Sequence, residues 1–520
     1  MNKKTVNIIL IVILILGSFL RVYKIGSESF WVDESATVYT TQEKASSMVY
    51  RIYTTNEQVP EDHESGHRGG GTPPFYFVLA NYWTKLVGLS EARLRLLSAI
   101  FGIISLYIIF LIGRNLFDYK TGLISAFLMS INYMHIKYSQ EARTYSWIIL
   151  LTLLTVYFLI NALRQKKKMH WIAYILSSSM LIYSNYFGFF ILIFEYLFLL
   201  IFWKEYRDSL SAIIISGISI FLLYAPWLPA LIRQMKDTKL LIYLLGQNIP
   251  LDLVRILVQF CSWFNPDLET RRALSSLYHY SPNSSLADIF GASFLGVLTI
   301  ISILAFASIM WWCFISSIAF KNNKLNFDNI KDKKYVLLLM WFIVPLLMPI
   351  TLTLLFPKSP VFGFVQHVLI ASPAFYLIAS NGILKSKKFY SLLVLLAVLS
   401  VLPLYSYYSN IDKQQWRETA NYLKSNRNPS ELVIVYVPTG VLPLEYYYKD
   451  MNRVTGIKKN ISQLKSEVKR EDSVWLVYAS EILKDPEGTI KNYMDMNYKL
   501  EKQKDFVGIR VFHYVKNTPS

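Results

Sequence analysis

Long apolar runs constrain this chain more than any other feature. Eleven follow one another up to about residue 408: 6–20, 94–112, 122–136, 145–163, 171–183, 187–203, 210–231, 291–320, 335–356, 367–384 and 389–408. A bilayer core needs about 20 apolar residues to be crossed by a helix. In lipid the backbone polar groups must be satisfied inside each segment, which favours helices. The expected fold is therefore mainly α, a polytopic membrane bundle of about 11 transmembrane helices. Lys3 and Lys4 precede the first run, as in a signal peptide, but no small-x-small cleavage site follows it. The run is read as a helix.

Composition decides between this reading and one suggested by charge. The net charge is +18, which by itself points to nucleic acid or an anionic surface. Charged residues are only 17% of the chain, hydrophobic ones are 53%, and mean hydropathy is +0.34. That balance excludes a soluble nucleic-acid binder and a disordered chain. Two cysteines, Cys261 and Cys313, make neither a disulfide framework nor a zinc set. The charge is better explained by orientation. With the N-terminus inside, the inner segments hold 18 basic and 5 acidic residues, as the positive-inside rule requires. An odd number of helices then puts the C-terminus outside.

Two outer loops are long, at 21–93 and 232–290. The second carries an apolar-rich stretch, 251–264, interrupted by Asp252 and Arg255 and expected to lie in the membrane interface. After residue 408 the pattern changes. Segments 431–437 and 473–479 read as strands, and 414–425 and 461–469 as helices. The expected domains are a transmembrane domain, 1–408, and a small soluble α/β domain, 409–520, on the outer face. No internal repeat is visible.

Four polar clusters fall on the outer side by this count. The first is Asp33-Glu34, flanked by aromatic residues. It is either a solvated acidic pair or a pair able to act as general base or to bind a metal or a sugar hydroxyl. The second is the run 69–76, in which three glycines precede Thr72-Pro73-Pro74. His63 and His67 lie just before it at i, i+4 spacing, but the glycine-rich context argues against a helical metal site. The third is Gln140-Glu141-Ala142-Arg143-Thr144-Tyr145, polar groups at the mouth of two membrane runs. They are either a snorkelling pair or a functional cluster. Arg93 and Arg95 open the second run on the same side, suited to phosphate oxygens or to lipid headgroups. The fourth is Gln366-His367 at the start of the tenth run, explained either by helix-end solvation or by ligand contact.

The order of these elements resembles a known family. A basic N-terminus and one helix lead to Asp33-Glu34 in a long loop, then Thr72-Pro73-Pro74-Phe75-Tyr76-Phe77, Ser90-Glu91-Ala92-Arg93, and Gln140-Glu141-Ala142-Arg143-Thr144-Tyr145. Tyr183-Ser184-Asn185-Tyr186, Ala225-Pro226-Trp227 and Gln415-Trp416-Arg417-Glu418 follow. To about residue 425 this is similar to the GT-C glycosyltransferases of the protein mannosyltransferase and aminoarabinose transferase type.

The resemblance implies an integral membrane enzyme that takes a sugar from a polyprenyl-phosphate carrier and transfers it with inversion to a lipid, protein or glycan acceptor. It implies Asp33 as catalytic base, with Glu34 and Glu141 also in the catalytic set. Arg143, Gln140, Tyr145, Arg93, Arg95, Thr72, Pro73, Pro74, Gln366 and His367 would bind substrate or phosphate. Metal dependence varies in such enzymes; Asp33, Glu34, Glu141 and His67 are the candidate ligands for a divalent ion. The expected location is the plasma membrane of a prokaryote, with the site on the outer face.

Departures are visible. Relatives often carry His or Lys before the paired prolines, where this chain has Gly71-Thr72, and Arg-Tyr where it has Gln366-His367. Trp311-Trp312-Cys313 is not the Trp-Trp-Asp motif of oligosaccharyltransferases, which disfavours en bloc transfer. The rival is a transporter or flippase of lipid-linked sugars. That class places charges at midspan and repeats its halves. Here only Glu195 is clearly midspan.

Overall fold

The computed structural model describes residues 2–55, 72–236, 256–261, 294–321, 324–325, 332–355, 365–458, 460–479 and 488–516. The chain forms two compact units. One comprises Met1–Ile25, Thr72–Tyr76 and Arg95–Asn410; the other comprises Gly26–Gly71, Phe77–Leu94 and Ile411–Ser520.

The first unit is a helix bundle. Each of the eleven apolar runs is helical over most of its described residues. Among the described residues, seven helices are long and apolar enough to cross a membrane: Lys3–Val22, Glu91–Leu116, Tyr145–Gln165, Arg207–Gln234, Leu298–Ala319, Lys333–Leu352 and Phe389–Ser409. Gly188–Ile201 and Leu369–Lys385 are shorter apolar helices. Two other runs are also short, at 13 residues for Tyr119–Ile131 and 15 for Lys168–Ile182.

The first of these is cut by Asn132. Its backbone leaves the helical region at φ −74°, ψ 126°, and its side chain caps the next helix, Tyr133–Ser139, by accepting from the His135 N–H. Asparagine favours such a cap because its side chain competes with the helix ladder. The same amide donates to the Phe260 and Cys261 carbonyls at 3.1 and 2.7 Å. So 256–261 is a helical piece with Ile256, Phe260 and Cys261 buried. It packs inside the unit; the rest of the stretch 251–264 lies outside the described residues.

Close packing fixes the bundle. A Cβ on Gly113 would stand 2.7 Å from the Gly122 Cα, so helices Glu91–Leu116 and Tyr119–Ile131 meet where only glycines fit. Arg21, at the end of the first helix, is fully buried. Its guanidinium donates to the Gly17, Ser130 and Met129 carbonyls at 3.1 to 3.2 Å. The last two belong to the final turn of Tyr119–Ile131, where carbonyls lack helical partners. Glu195 is buried and accepts from the Tyr174 hydroxyl at 3.1 Å.

The second unit is built on a five-stranded sheet. The strand order is Val454–Ile457, Leu432–Tyr436, Ser473–Ala479, Ile509–Lys516, Tyr498–Phe506. The first three are parallel, and the last two add antiparallel. Leu432–Tyr436 is buried at every residue, as a central parallel strand should be. Val433, Val435, Trp475 and Val477 face one core; Leu432, Ile434, Val474 and Leu476 face the other. Helix Trp416–Asn426 covers the first core and Ile461–Val468 the second.

Candidate active site

In the second unit, helix Val32–Thr41 starts at Asp33-Glu34. Carboxylates in the first turn complement the positive helix end. The two differ sharply in setting. Glu34 is fully buried, and its Oε1 lies 3.4 Å from the Lys413 ammonium, itself buried. Asp33 is only half-buried. The chain entering this helix is clamped. The Asp412 N–H donates to Glu28 at 2.6 Å, Ser29 Oγ donates to the Gln414 carbonyl at 2.7 Å, and the Phe30 N–H donates to the Tyr447 hydroxyl at 2.7 Å. Tyr447 in turn donates to Glu91 at 2.8 Å, which also pairs with Arg417 at 3.2 Å. Arg417 donates to the Ser27 carbonyl as well.

The far end of the same helix is held by buried Asn81, whose amide donates to the Thr40, Thr41 and Glu43 carbonyls at 2.9 to 3.2 Å. Beside this helix a cleft of about 340 Å³ is lined by Ser35, Tyr39, Gln42, Glu43, Tyr446 and Lys449, among others. Burial raises the Glu43 carboxyl above its ordinary value, while the paired Arg51 guanidinium pulls it back. Arg93 is exposed.

In the first unit, Gln140, Glu141 and Thr144 are buried and Arg143 and Tyr145 half-buried. Gln140 closes helix Tyr133–Ser139. Its amide donates to the Leu20, Arg21 and Tyr23 carbonyls at 3.3, 3.1 and 2.8 Å, and its oxygen accepts from Tyr407 at 2.8 Å. These carbonyls end the first helix, so Gln140 supplies the donors that helix end lacks. Arg95 is likewise buried and donates to the Ile25 carbonyl at 3.0 Å. The Arg143 N–H turns back onto the Glu141 carbonyl at 2.8 Å, and the Arg143 carbonyl accepts from Ser98 at 3.4 Å.

Thr72, Pro73 and Pro74 lead into this unit. Phe75 stacks on Trp147 with ring centres 6.0 Å apart, and the Tyr76 hydroxyl meets Ser98 at 2.9 Å. Tyr138 packs on Tyr145 and donates to Gln366 at 3.3 Å. Thus the first unit gathers Thr72-Pro73-Pro74, Arg95, the 140–145 cluster and Gln366, while Asp33, Glu34 and Arg93 belong to the second. His63, His67 and 69–71 lie outside the described residues, as does the His367 side chain.

Among the described residues no group of three His, Cys, Asp or Glu could hold a metal ion. Glu34 faces an ammonium, a poor neighbour for a cation. Lys413, Arg21, Tyr407 and Tyr447 were not singled out from sequence. Only Arg21, a cation closing an apolar run, carried a signal of its own.

Residues 71–231, less than half the chain, match the family described as dolichyl-phosphate-mannose-protein mannosyltransferase. Comparison with curated protein sequences finds no match. Among solved structures, the oligosaccharyltransferase of Archaeoglobus fulgidus in its apo form is similar at TM-score 0.56 and 13% identity, over 99% of this chain and 75% of that one. The same archaeal enzyme, AglB, with an inhibitory peptide and a dolichol-phosphate gives 0.55 and 12%, over 99% and 75%. ArnT from Cupriavidus metallidurans bound to undecaprenyl phosphate gives 0.48 and 10%, over 100% of both chains. With its apolar helices, the chain is an integral multi-pass membrane protein. The chain thus shares its fold with the archaeal oligosaccharyltransferase, and residues 71–231 are similar to the mannosyltransferase family.

Proposed function

We propose that the chain is an inverting glycosyltransferase that moves a monosaccharide from a polyprenyl-phosphate donor to a hydroxyl of a lipid, protein or glycan acceptor. The observation that carries this reading is the unequal setting of two adjacent carboxylates. Glu34 is buried against Lys413, which leaves half-buried Asp33 as the member of the pair able to meet a substrate. Asp33 is the general base. It takes the proton of the acceptor hydroxyl as that oxygen bonds to the anomeric carbon. The bond from that carbon to the phosphate oxygen breaks, the phosphate keeps the electron pair, and the configuration inverts.

Leaving-group charge is stabilised by cations placed near it. Exposed Arg93, in the same unit as Asp33, is assigned that role. Gln140 and Arg95 are positioning residues, because their polar heads bind the carbonyls that end the first helix and the turn after it. The cleft beside Val32–Thr41, with two tyrosines among polar groups, is the proposed acceptor approach. The tail from residue 409 supports the site through Lys413 and Arg417. The charge asymmetry of the loops supports a site on the outer face of the membrane.

The stereochemical course tests the reaction. A donor of defined anomeric configuration should give a product of the opposite configuration by NMR, with polyprenyl phosphate released. A product of retained configuration sinks the one-step scheme.

A further inference from the structure

A cavity of about 610 Å³ opens in the first unit at one end of four helices. Its walls are apolar, formed by Leu116, Leu159, Phe198 and Leu337 among others. Among the described residues its charged lining is Arg164, Lys333 and Lys334 with one acid, Asp332. These cations come from separate elements. Arg164 is in the last turn of Tyr145–Gln165, and the lysines open helix Lys333–Leu355.

The charges are only partly matched within the unit. Lys333 pairs with Glu205, and Lys334 lies 3.3 Å from Asp332. Asp332 is also engaged with its own helix, accepting from the Lys334 N–H at 3.1 Å. Arg164 donates to the Asn115 carbonyl. So among the described residues three cations stand against two acids. Lysines in the first turn of a helix also oppose its dipole, whose N-terminal end is positive. An anion there relieves both.

The walls specify the rest of the ligand. A free inorganic anion gains nothing from leucine and phenylalanine, and a purely apolar ligand gains nothing from cations. A molecule with a phosphate head and acyl chains satisfies both parts. The residues stand where the helices end, on the side that the loop charges assign to the interior.

We propose that this cavity is a binding site for an anionic glycerophospholipid, separate from the glycosyl-transfer site and independent of that reading. The phosphate is held by Arg164, Lys333 and Lys334, and one acyl chain lies against the apolar wall.

The test is native mass spectrometry of the full chain released from nanodiscs containing equal phosphatidylglycerol and phosphatidylcholine. Wild type should retain phosphatidylglycerol preferentially. In Arg164→Gln/Lys333→Gln/Lys334→Gln the preference should fall by roughly fivefold per cation lost. Arg164→Lys/Lys333→Arg/Lys334→Arg should keep it, which separates loss of charge from loss of fold. Equal retention of the two lipids by wild type, or an unchanged preference in the neutral variant, overturns the proposal. Displacement of the lipid by equimolar inorganic phosphate would assign the cations to a free anion and overturn it too.

Discussion

The Lys413 ammonium lies 3.4 Å from Glu34 Oε1, and both side chains are buried in the unit that carries the C-terminal sheet. The two are 379 positions apart in the chain. Removing one partner of a buried pair leaves an uncompensated charge and costs about 3–5 kcal/mol. Lys413→Met should therefore lower the unfolding midpoint strongly. Glu34→Gln/Lys413→Met should recover most of that loss, because neither residue is then charged. A double variant no more stable than Lys413→Met would show that the pair does not act as a unit.

Gln140 separates a positioning role from a substrate role. Its amide serves three carbonyls at the end of the first helix. Gln140→Leu leaves them without that donor in an apolar setting, at a cost of about 1–3 kcal/mol. Thermal unfolding of the purified protein should show the loss directly. A variant with unchanged melting but reduced turnover would place Gln140 at the substrate instead.

Glu431 gives the sheet a pH dependence. Burial pushes its carboxyl upward, but donors outweigh it: Trp475 Nε1 at 2.7 Å, Ser473 Oγ at 2.8 Å and the Asn428 N–H at 2.9 Å, aided by His513. The net shift is below the ordinary 4.5. A carboxyl with a lowered folded-state value adds stability above its unfolded value and loses it as pH falls through the folded one. Wild type should thus melt higher than Glu431→Gln at pH 7, and the gap should close as pH falls below 4.5. A gap that persists well below that value contradicts the assignment.

The sequence revealed most of the bundle because apolar length is a strong, local signal. It missed breaks that depend on single side chains. Run 122–136 reads as continuous, yet Asn132 ends one helix and caps the next. In the sheet, buried strands Leu432–Tyr436 and Ser473–Ala479 stood out, while Tyr498–Phe506 did not. That strand is an edge, exposed along most of its length and rich in charge. Its pairing with Ile509–Lys516 depends on a turn at Gly508, with φ +71°.

The site residues were legible as types but not as partners. Asp33 and Glu34 read alike in sequence and differ in burial, because Lys413 comes from a distant segment. Glu91 and Arg417 appeared in separate motifs, and the structure pairs them.

The reading of Asp33 as general base rests most directly on one measurement. Transfer from labelled polyprenyl-phosphate sugars to membrane acceptors is compared for wild type and Asp33→Asn, with melting temperature as the control on folding. The account predicts a fall in kcat of about 10²-fold or more at unchanged stability. Full activity in Asp33→Asn would contradict it.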